Sequence, residues 1–246
     1  MRALIPVAAL LVGCGSNTSG DAHLLVAAAS DLSGVMPALA AAFEAAHGVP
    51  VVATMGSSGQ LAQQILQGAP VDVFLSADAG SVDQLEARGR LEPGTRAVYA
   101  IGSLVLLAGR ISEPPETLGA VAETAYARVA LANPDHAPYG AAARQALEAA
   151  GILEAVAGRL VIAENVRQTV QFAETRSVDV AIAALSLMDS TRHRWTVVPA
   201  GAHEPLAQTA AVIAGRPQTA SARAFVGFLT GEQGREILAR HRFTLP

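Results

Sequence analysis

The chain has 246 residues, of which 51% are hydrophobic and 15% charged, enough apolar content for one or two folded domains and too much for a chain disordered throughout. Its formal net charge of −4 predicts no basic surface for nucleic acid. All 17 basic residues are arginine, and the absence of lysine excludes a P-loop lysine, Schiff-base chemistry and pyridoxal phosphate catalysis. The chain has one cysteine, which excludes an intrachain disulfide and a cysteine-rich zinc site.

The first thirteen residues are typical of an export signal. Arg2 precedes a short apolar run that ends in Leu-Val-Gly-Cys at Cys14, and this run is too short to span a bilayer. The alternative is a buried N-terminal element with a core cysteine. Residues 15–20 are small or polar, as in a flexible tether. Leu-Val-Gly-Cys also resembles the bacterial lipobox, so we predict a signal peptide over 1–13 and a tether over 14–22 that begins at a lipidated Cys14.

The first half of the remaining chain alternates apolar runs with helical patterns. Helix 33–47 has apolar residues at helical spacing, and Gly48 suits its C-terminal cap. In chain order we predict a strand at 24–29, a helix at 33–47, a strand at 49–55, a helix at 60–67, a strand at 71–75 and a helix at 81–88.

The second half repeats this alternation. We predict strands at 103–108 and 128–132, a helix at 138–150, a strand at 160–163, a helix at 166–174, strands at 178–185, 195–199 and 209–214, and helices at 219–229 and 231–241. Such alternation favours an α/β fold with mostly parallel sheets flanked by helices. The length suits two similar lobes, with lobe 1 formed by 23–101 and 201–246, lobe 2 by 102–200, and crossings near 101 and 201.

Polar residues follow several strands at the point where a helix begins. They occupy residues 29–33 and 56–59 in the first half and residues 133–140 and 164–167 in the second. A helix N-terminus offers free N–H groups and the positive end of a dipole, and in open α/β sheets ligands bind beyond the carboxyl ends of the strands. These turns predict an anion site in a cleft between the lobes, although each serine alone could be an ordinary helix cap.

The same segments carry a resemblance to a known family. Residues 27–32, 56–61, 68–78, 133–140, 164–168 and 228–243 resemble the periplasmic molybdate-binding proteins of ABC importers, in order and across nearly the whole mature chain. The resemblance implies a two-lobed periplasmic-binding-protein fold with the ligand in the cleft between lobes. It implies that molybdate, and tungstate as a close isostere, is bound by the hydroxyl and N–H groups of Ser30 and Ser58 and by the N–H groups of Tyr139 and Val166.

One position departs from the family pattern. Where some members place a tyrosine whose hydroxyl reaches the anion, this chain has Ala184, so the Tyr139 hydroxyl or Ser186 would have to replace that donor. Neutral donors alone favour a fully deprotonated oxyanion over a protonated phosphate, whereas sulfate would have to be rejected by the size of the pocket. We read Asp31 as a residue of a helix first turn that the dipole favours, and His136 as a polar loop residue.

The resemblance implies an exported, membrane-anchored protein of the periplasm or cell envelope that delivers its anion to an ABC permease, without a cofactor or catalysis and as a monomer. Alternatives are a binding protein for another oxyanion such as sulfate, a serine hydrolase using Ser30 or Ser58, and a cytoplasmic sensor lobe. The G-x-S-x-G pattern of a nucleophile elbow is absent around Ser58, which weakens the hydrolase reading.

Overall fold

The computed structural model describes residues 23–246, and the predicted signal peptide, tether and Cys14 lie outside the described residues. These residues form two five-stranded sheets flanked by helices. We call the sheet formed by the earlier strands, with its helices, the first lobe, and the other sheet with its helices the second lobe.

The first sheet has the strand order β2-β1-β3-β10-β4. β1, β2 and β3 are parallel, and β10 is antiparallel to both of its neighbours. Four of the five strands, β1, β2, β3 and β10, are followed by a helix on the same sheet, as the alternating sequence predicts. The lobe contains β1 (Leu24–Ala29), α1 (Met36–His47), β2 (Val51–Gly56), α2 (Ser58–Leu66), β3 (Val73–Ser76), α3 (Gly80–Glu86), β4 (Ala97–Gly102), β10 (Leu206–Val212), α7 (Thr219–Thr230) and α8 (Glu232–Arg240).

The second sheet has the order β7-β6-β8-β5-β9, again with one strand, β5, running against the others. The lobe contains β5 (Leu104–Ala108), β6 (Val129–Ala132), α4 (Pro138–Ala149), α5 (Leu153–Val156), β7 (Leu160–Ala163), α6 (Val166–Glu174), β8 (Val180–Ala184) and β9 (Trp195–Val197). The α/β class and the mostly parallel sheets are therefore confirmed.

Apolar packing explains why each sheet is covered on both faces. The first sheet buries one core under α1, α7 and α8 around Phe43 and Phe225, and a second under α2 and α3 around Phe74 and Leu85. The second lobe has a core that includes the β5 and β8 side chains and the apolar face of α4. Parallel strands buried on both faces read as continuous apolar runs, which is the pattern of β1 and β8.

The chain passes between the sheets twice. It leaves the first sheet after Gly102 and enters the second at Leu104, and it returns between Val197 and Leu206. These passages lie beside residues 101 and 201, where the sequence predicts the crossings. The predicted elements differ in detail from the structure: β4 and α5 were not predicted, β10 begins three residues earlier than expected, and α1 begins at Met36, after the 3-10 turn at 30–32 and a further turn at 33–35.

Candidate functional site

The polar turns of the two lobes meet at a small cavity. Its volume is only about 10 Å³, and both lobes contribute to its wall. The cavity is lined by Ala29, Ser30, Asp31, Gly56, Ser57, Ser58, Ala77, Ala137, Pro138, Tyr139 and Val166. The structure thus brings together four of the five predicted site residues, Ser30, Ser58, Tyr139 and Val166.

The first lobe offers two serines that follow parallel neighbouring strands. Ser30 comes directly after β1, and its hydroxyl makes no hydrogen bond to any described residue. Ser58 is the first residue of α2 and is fully buried. Its Oγ accepts the N–H of Ala77 at 3.0 Å, so its own hydroxyl hydrogen remains available to the cavity. Both serines can therefore donate to a bound anion.

The second lobe offers N–H groups from the first turns of two helices. Tyr139 follows Pro138 at the start of α4, and proline pre-sets the helical φ while removing no useful donor. Val166 begins α6, whose cap Asn165 accepts the N–H of Gln168 at 3.1 Å. The N–H groups of a first turn have no partner inside the helix, so both helices present donors and the positive end of a dipole to the cavity.

A buried carboxyl lies beside this cavity. Asp31 is fully buried in the 3-10 turn after β1, and Gln208 Nε2 donates to its Oδ2 at 2.9 Å. Burial raises the pKa of Asp31 from 3.8 to about 7, an effect that the neighbouring Tyr139 hydroxyl and Gln208 amide partly offset. Asp31 Oδ1 and Tyr139 Oη themselves have no hydrogen-bond partner of good geometry among the described residues. Asp31 lies in the first turn of a short helix, as predicted, but β10 and α4 cover its side chain, so burial rather than the helix dipole governs its charge.

The Tyr139 hydroxyl belongs to the same buried group. Burial and the nearby Asp31 raise the pKa of Tyr139 well above its usual value, so the group stays a neutral phenol. A methyl group on Gly102 would collide with Tyr139 Oη and lie 3.0 Å from Gln208 Nε2. The tyrosine ring thus packs against the first passage between the lobes, and only glycine leaves room for it there.

Ala184 is the predicted site residue that the structure does not bring to the cavity wall. It ends β8, is fully buried, and pairs with Leu104 across the sheet. Ser186, considered as a replacement donor, donates its hydroxyl to the Asp31 carbonyl oxygen at 2.9 Å and does not line the cavity. The serines of the first lobe therefore supply hydroxyl donors to the cavity, whereas the Tyr139 hydroxyl is buried beside Gly102.

Comparison with known proteins identifies the family. The family model described as "Bacterial extracellular solute-binding protein" matches residues 24–244. The chain belongs to this family. The Azotobacter vinelandii protein named "Molybdate-binding protein ModA" is 31% identical over 248 residues, covering 99% of this chain and 97% of that one. A solved structure titled Azotobacter vinelandii periplasmic molybdate-binding protein superposes with a TM-score of 0.85 at 31% identity, covering 91% of this chain and 100% of that chain.

A more distant relative, from Bacillus subtilis, is named "Putative ABC transporter substrate-binding lipoprotein YvgL" and is 24% identical, covering 96% of this chain and 93% of that one. The resemblance to molybdate-binding proteins and the two-lobed fold are thus confirmed.

Sequence reasoning missed one group of site neighbours. His136 was read as a plain loop residue, yet its Nδ1 lies 2.8 Å from Ser57 Oγ, and Ser57 lines the cavity. The two residues are 79 positions apart. No local pattern joins them, and only the meeting of two turns from different lobes brings them together.

None of the larger surface depressions is lined by Ser30, Ser58, Tyr139 or Val166. One of about 650 Å³ runs along the outer end of the second lobe beside Arg176, Arg192 and His193, and it includes no serine pair or helix start of the site. Among residues 23–246 there is no group of three or more His, Cys, Asp or Glu side chains that could hold a metal ion. Within the same residues, no helix combines the length and hydropathy needed to cross a bilayer.

Proposed function

We propose that this solute-binding protein captures molybdate, and tungstate as its close isostere, and delivers it to an ABC permease. The observation that carries the proposal is the convergence of neutral donors from both lobes on one small cavity, from Ser30 and Ser58 on one side and from the N–H groups of Tyr139 and Val166 on the other. Relatives that carry the name molybdate-binding protein support the choice of anion.

The physical logic is closure around a dianion. A buried anion without a fixed counter-charge needs several aimed donors, which hydroxyls and first-turn N–H groups supply. Because the donors belong to two lobes, only the closed form makes all the contacts, and binding shifts the population toward that form. No bond is broken and no cofactor is required. We further propose that the chain is exported, processed before Cys14 and anchored there by lipid, and that it acts as a monomer.

The hydrolase alternative has little support in this geometry. Neither Ser30 nor Ser58 has a histidine within hydrogen-bond distance among the described residues. Ser57 does contact His136, but the cavity beside it, with a volume of about 10 Å³, has no room for an ester and its acyl group. Sulfate has the charge and shape of the proposed ligand and is separated from it only by size, so the test includes it.

The test is thermal unfolding of the protein from Asp21 onward with molybdate, tungstate, sulfate and phosphate. A ligand at about 100 times its Kd adds about 2.7 kcal/mol to the stability of the folded state, a shift of roughly 5–10 °C at this chain length. We expect the shift with molybdate and tungstate only, and a smaller shift in Ser30→Ala and Ser58→Ala. Ser190→Ala, at an exposed position of the second lobe, is the control. A shift with sulfate or phosphate alone would show that molybdate is not the substrate. The absence of a shift with any of the four anions would refute the proposal.

A further inference from the structure

A set of contacts beside the cavity joins the lobes directly. The N–H of Gly59 donates to the carbonyl oxygen of His136 at 2.9 Å, and Ser57 Oγ lies 2.8 Å from His136 Nδ1. Gln60 Nε2 donates to Glu164 Oε1. Ser57, Gly59 and Gln60 belong to the start of α2 in the first lobe, whereas His136 and Glu164 follow β6 and β7 in the second. Three hydrogen bonds therefore cross between the lobes at one place.

The directions of these bonds form a consistent chain. Ser57 Oγ donates its single hydrogen to Gln60 Oε1 at 3.0 Å, so the Nδ1–H of His136 donates to Ser57. His136 Nε2 faces Glu164 Oε1 at 3.9 Å. The hydrogen bonds thus run from His136 through Ser57 and Gln60 to Glu164, two residues from each lobe, and this chain is complete only when the lobes are together.

Gly59 shows how closely the lobes approach here. A methyl group at this position would lie 2.7 Å from the His136 carbonyl oxygen and 3.1 Å from its Cα, both backbone atoms. Real Cβ atoms do not approach backbone so closely, so a side chain at residue 59 would hold the lobes apart. Alanine is otherwise well suited to the first turn of a helix, and it would not disturb α2 itself.

We propose that His136, Glu164, Gln60 and Gly59 form an interlobe clasp that sets how long the bound anion is retained, although these residues do not line the cavity. The inference rests on the proposed function. Because the clasp forms only in the closed state, it stabilises that state in addition to the anion contacts and does not stabilise the open state. Release requires the lobes to open, so losing the clasp speeds dissociation while leaving the encounter with the anion unchanged. These are positioning residues, which act through closure.

The experiment measures Kd by calorimetry and the dissociation rate by stopped flow, with molybdate and the protein from Asp21 onward. We expect His136→Ala, Gln60→Ala and Glu164→Ala each to raise Kd and the dissociation rate roughly two- to tenfold, the range for one net hydrogen bond. The association rate and the Tm of the unliganded protein should stay unchanged. Glu164→Gln keeps an acceptor oxygen for Gln60 and should restore most of the affinity. His203→Ala and Glu148→Ala, outside the clasp, are the controls.

Two further variants separate a clasp from a merely structural contact. The double variant Gln60→Ala with Glu164→Ala should be no worse than the weaker-binding single variant, because both changes remove the same bond. Gly59→Ala should weaken anion binding at least tenfold while the unliganded Tm stays the same or rises. Unchanged Kd in all these variants, additive losses in the double variant, or a matching fall in the unliganded Tm would overturn the clasp alone. A wild-type protein that binds no molybdate would overturn the proposed function and the clasp together.

Discussion

Asp31→Asn should stabilise the unliganded protein at neutral pH. The carboxyl has a pKa near 7 in the folded state against 3.8 in an exposed chain, a difference of about three units caused mainly by burial. A raised acid pKa means that the folded state binds more protons than the unfolded state between these two values, so the free energy of unfolding falls as pH rises from about 4 to 7. At 1.36 kcal/mol per unit the loss is about 4 kcal/mol. Opening of the lobes hydrates the carboxyl, which makes this figure an upper bound.

Asparagine keeps the shape and the useful contacts. Its amide oxygen can accept from Gln208, and its amide NH₂ can donate to the unpartnered Tyr139 Oη, so the substitution removes the charge and not the packing. We therefore expect Asp31→Asn to match wild type near pH 4 and to gain stability progressively toward pH 7. The gain would appear as a Tm difference of at most roughly 8–16 °C at this chain length.

The assay is urea unfolding of both proteins without anion at several pH values from 4 to 8. All other titrating groups are shared, so their contributions cancel in the difference between the two curves. Asp189→Asn is the control, since Asp189 is exposed and hydrogen bonds from Thr191 lower its pKa, the opposite direction. Parallel curves for wild type and Asp31→Asn across this range would show that the carboxyl is not buried as a neutral group, and the argument would be wrong.

Two further predictions concern the helices that aim donors from the second lobe. Gly140→Ala should destabilise the protein by about 1–3 kcal/mol and weaken anion binding, because the new methyl group would lie 2.7 Å from the Ala132 carbonyl carbon and push the start of α4 away. Urea unfolding measures the stability and calorimetry measures the binding. An unchanged urea midpoint would contradict the prediction. Asn165→Ala should cost about 1 kcal/mol through loss of the cap to Gln168, whereas Asn165→Ser retains most of it. Thermal unfolding of the two variants measures the difference, and an equal loss of stability in both would count against the capping role of Asn165.

The fold was predictable where short-range patterns determine it. Apolar runs such as β1 and β8 and the glycine that ends α1 with a φ of 68° fix strands and a helix end locally. β4 was missed because its exposed and buried residues alternate imperfectly beside an irregularity in its pairing with β10. Such an edge strand is determined by its partner, more than 100 residues further along the chain, and not by its own pattern.

The site divides in the same way. The serines after β1 and β2 and the first turns of α4 and α6 could be predicted because strand ends and helix starts meet at the same edge of a sheet. The burial of Asp31 and the contact of Ser57 with His136 could not, because each depends on residues brought from the other lobe or from β10. In the sequence each of these polar side chains looks like a helix cap or a loop residue. Its role becomes visible only when the two lobes enclose it.

The proposed anion site has no cation in its wall. None of the described residues that line it is an arginine or a histidine, so the positive potential comes from first-turn N–H groups and helix dipoles. A fixed cation would bind any anion strongly and discriminate little between anions, whereas aimed neutral donors bind most tightly the anion whose oxygens match their geometry. Burial raises the pKa of Asp31, the one carboxyl in the wall, to about 7, so at neutral pH it carries less negative charge than an exposed carboxylate and repels a bound dianion less.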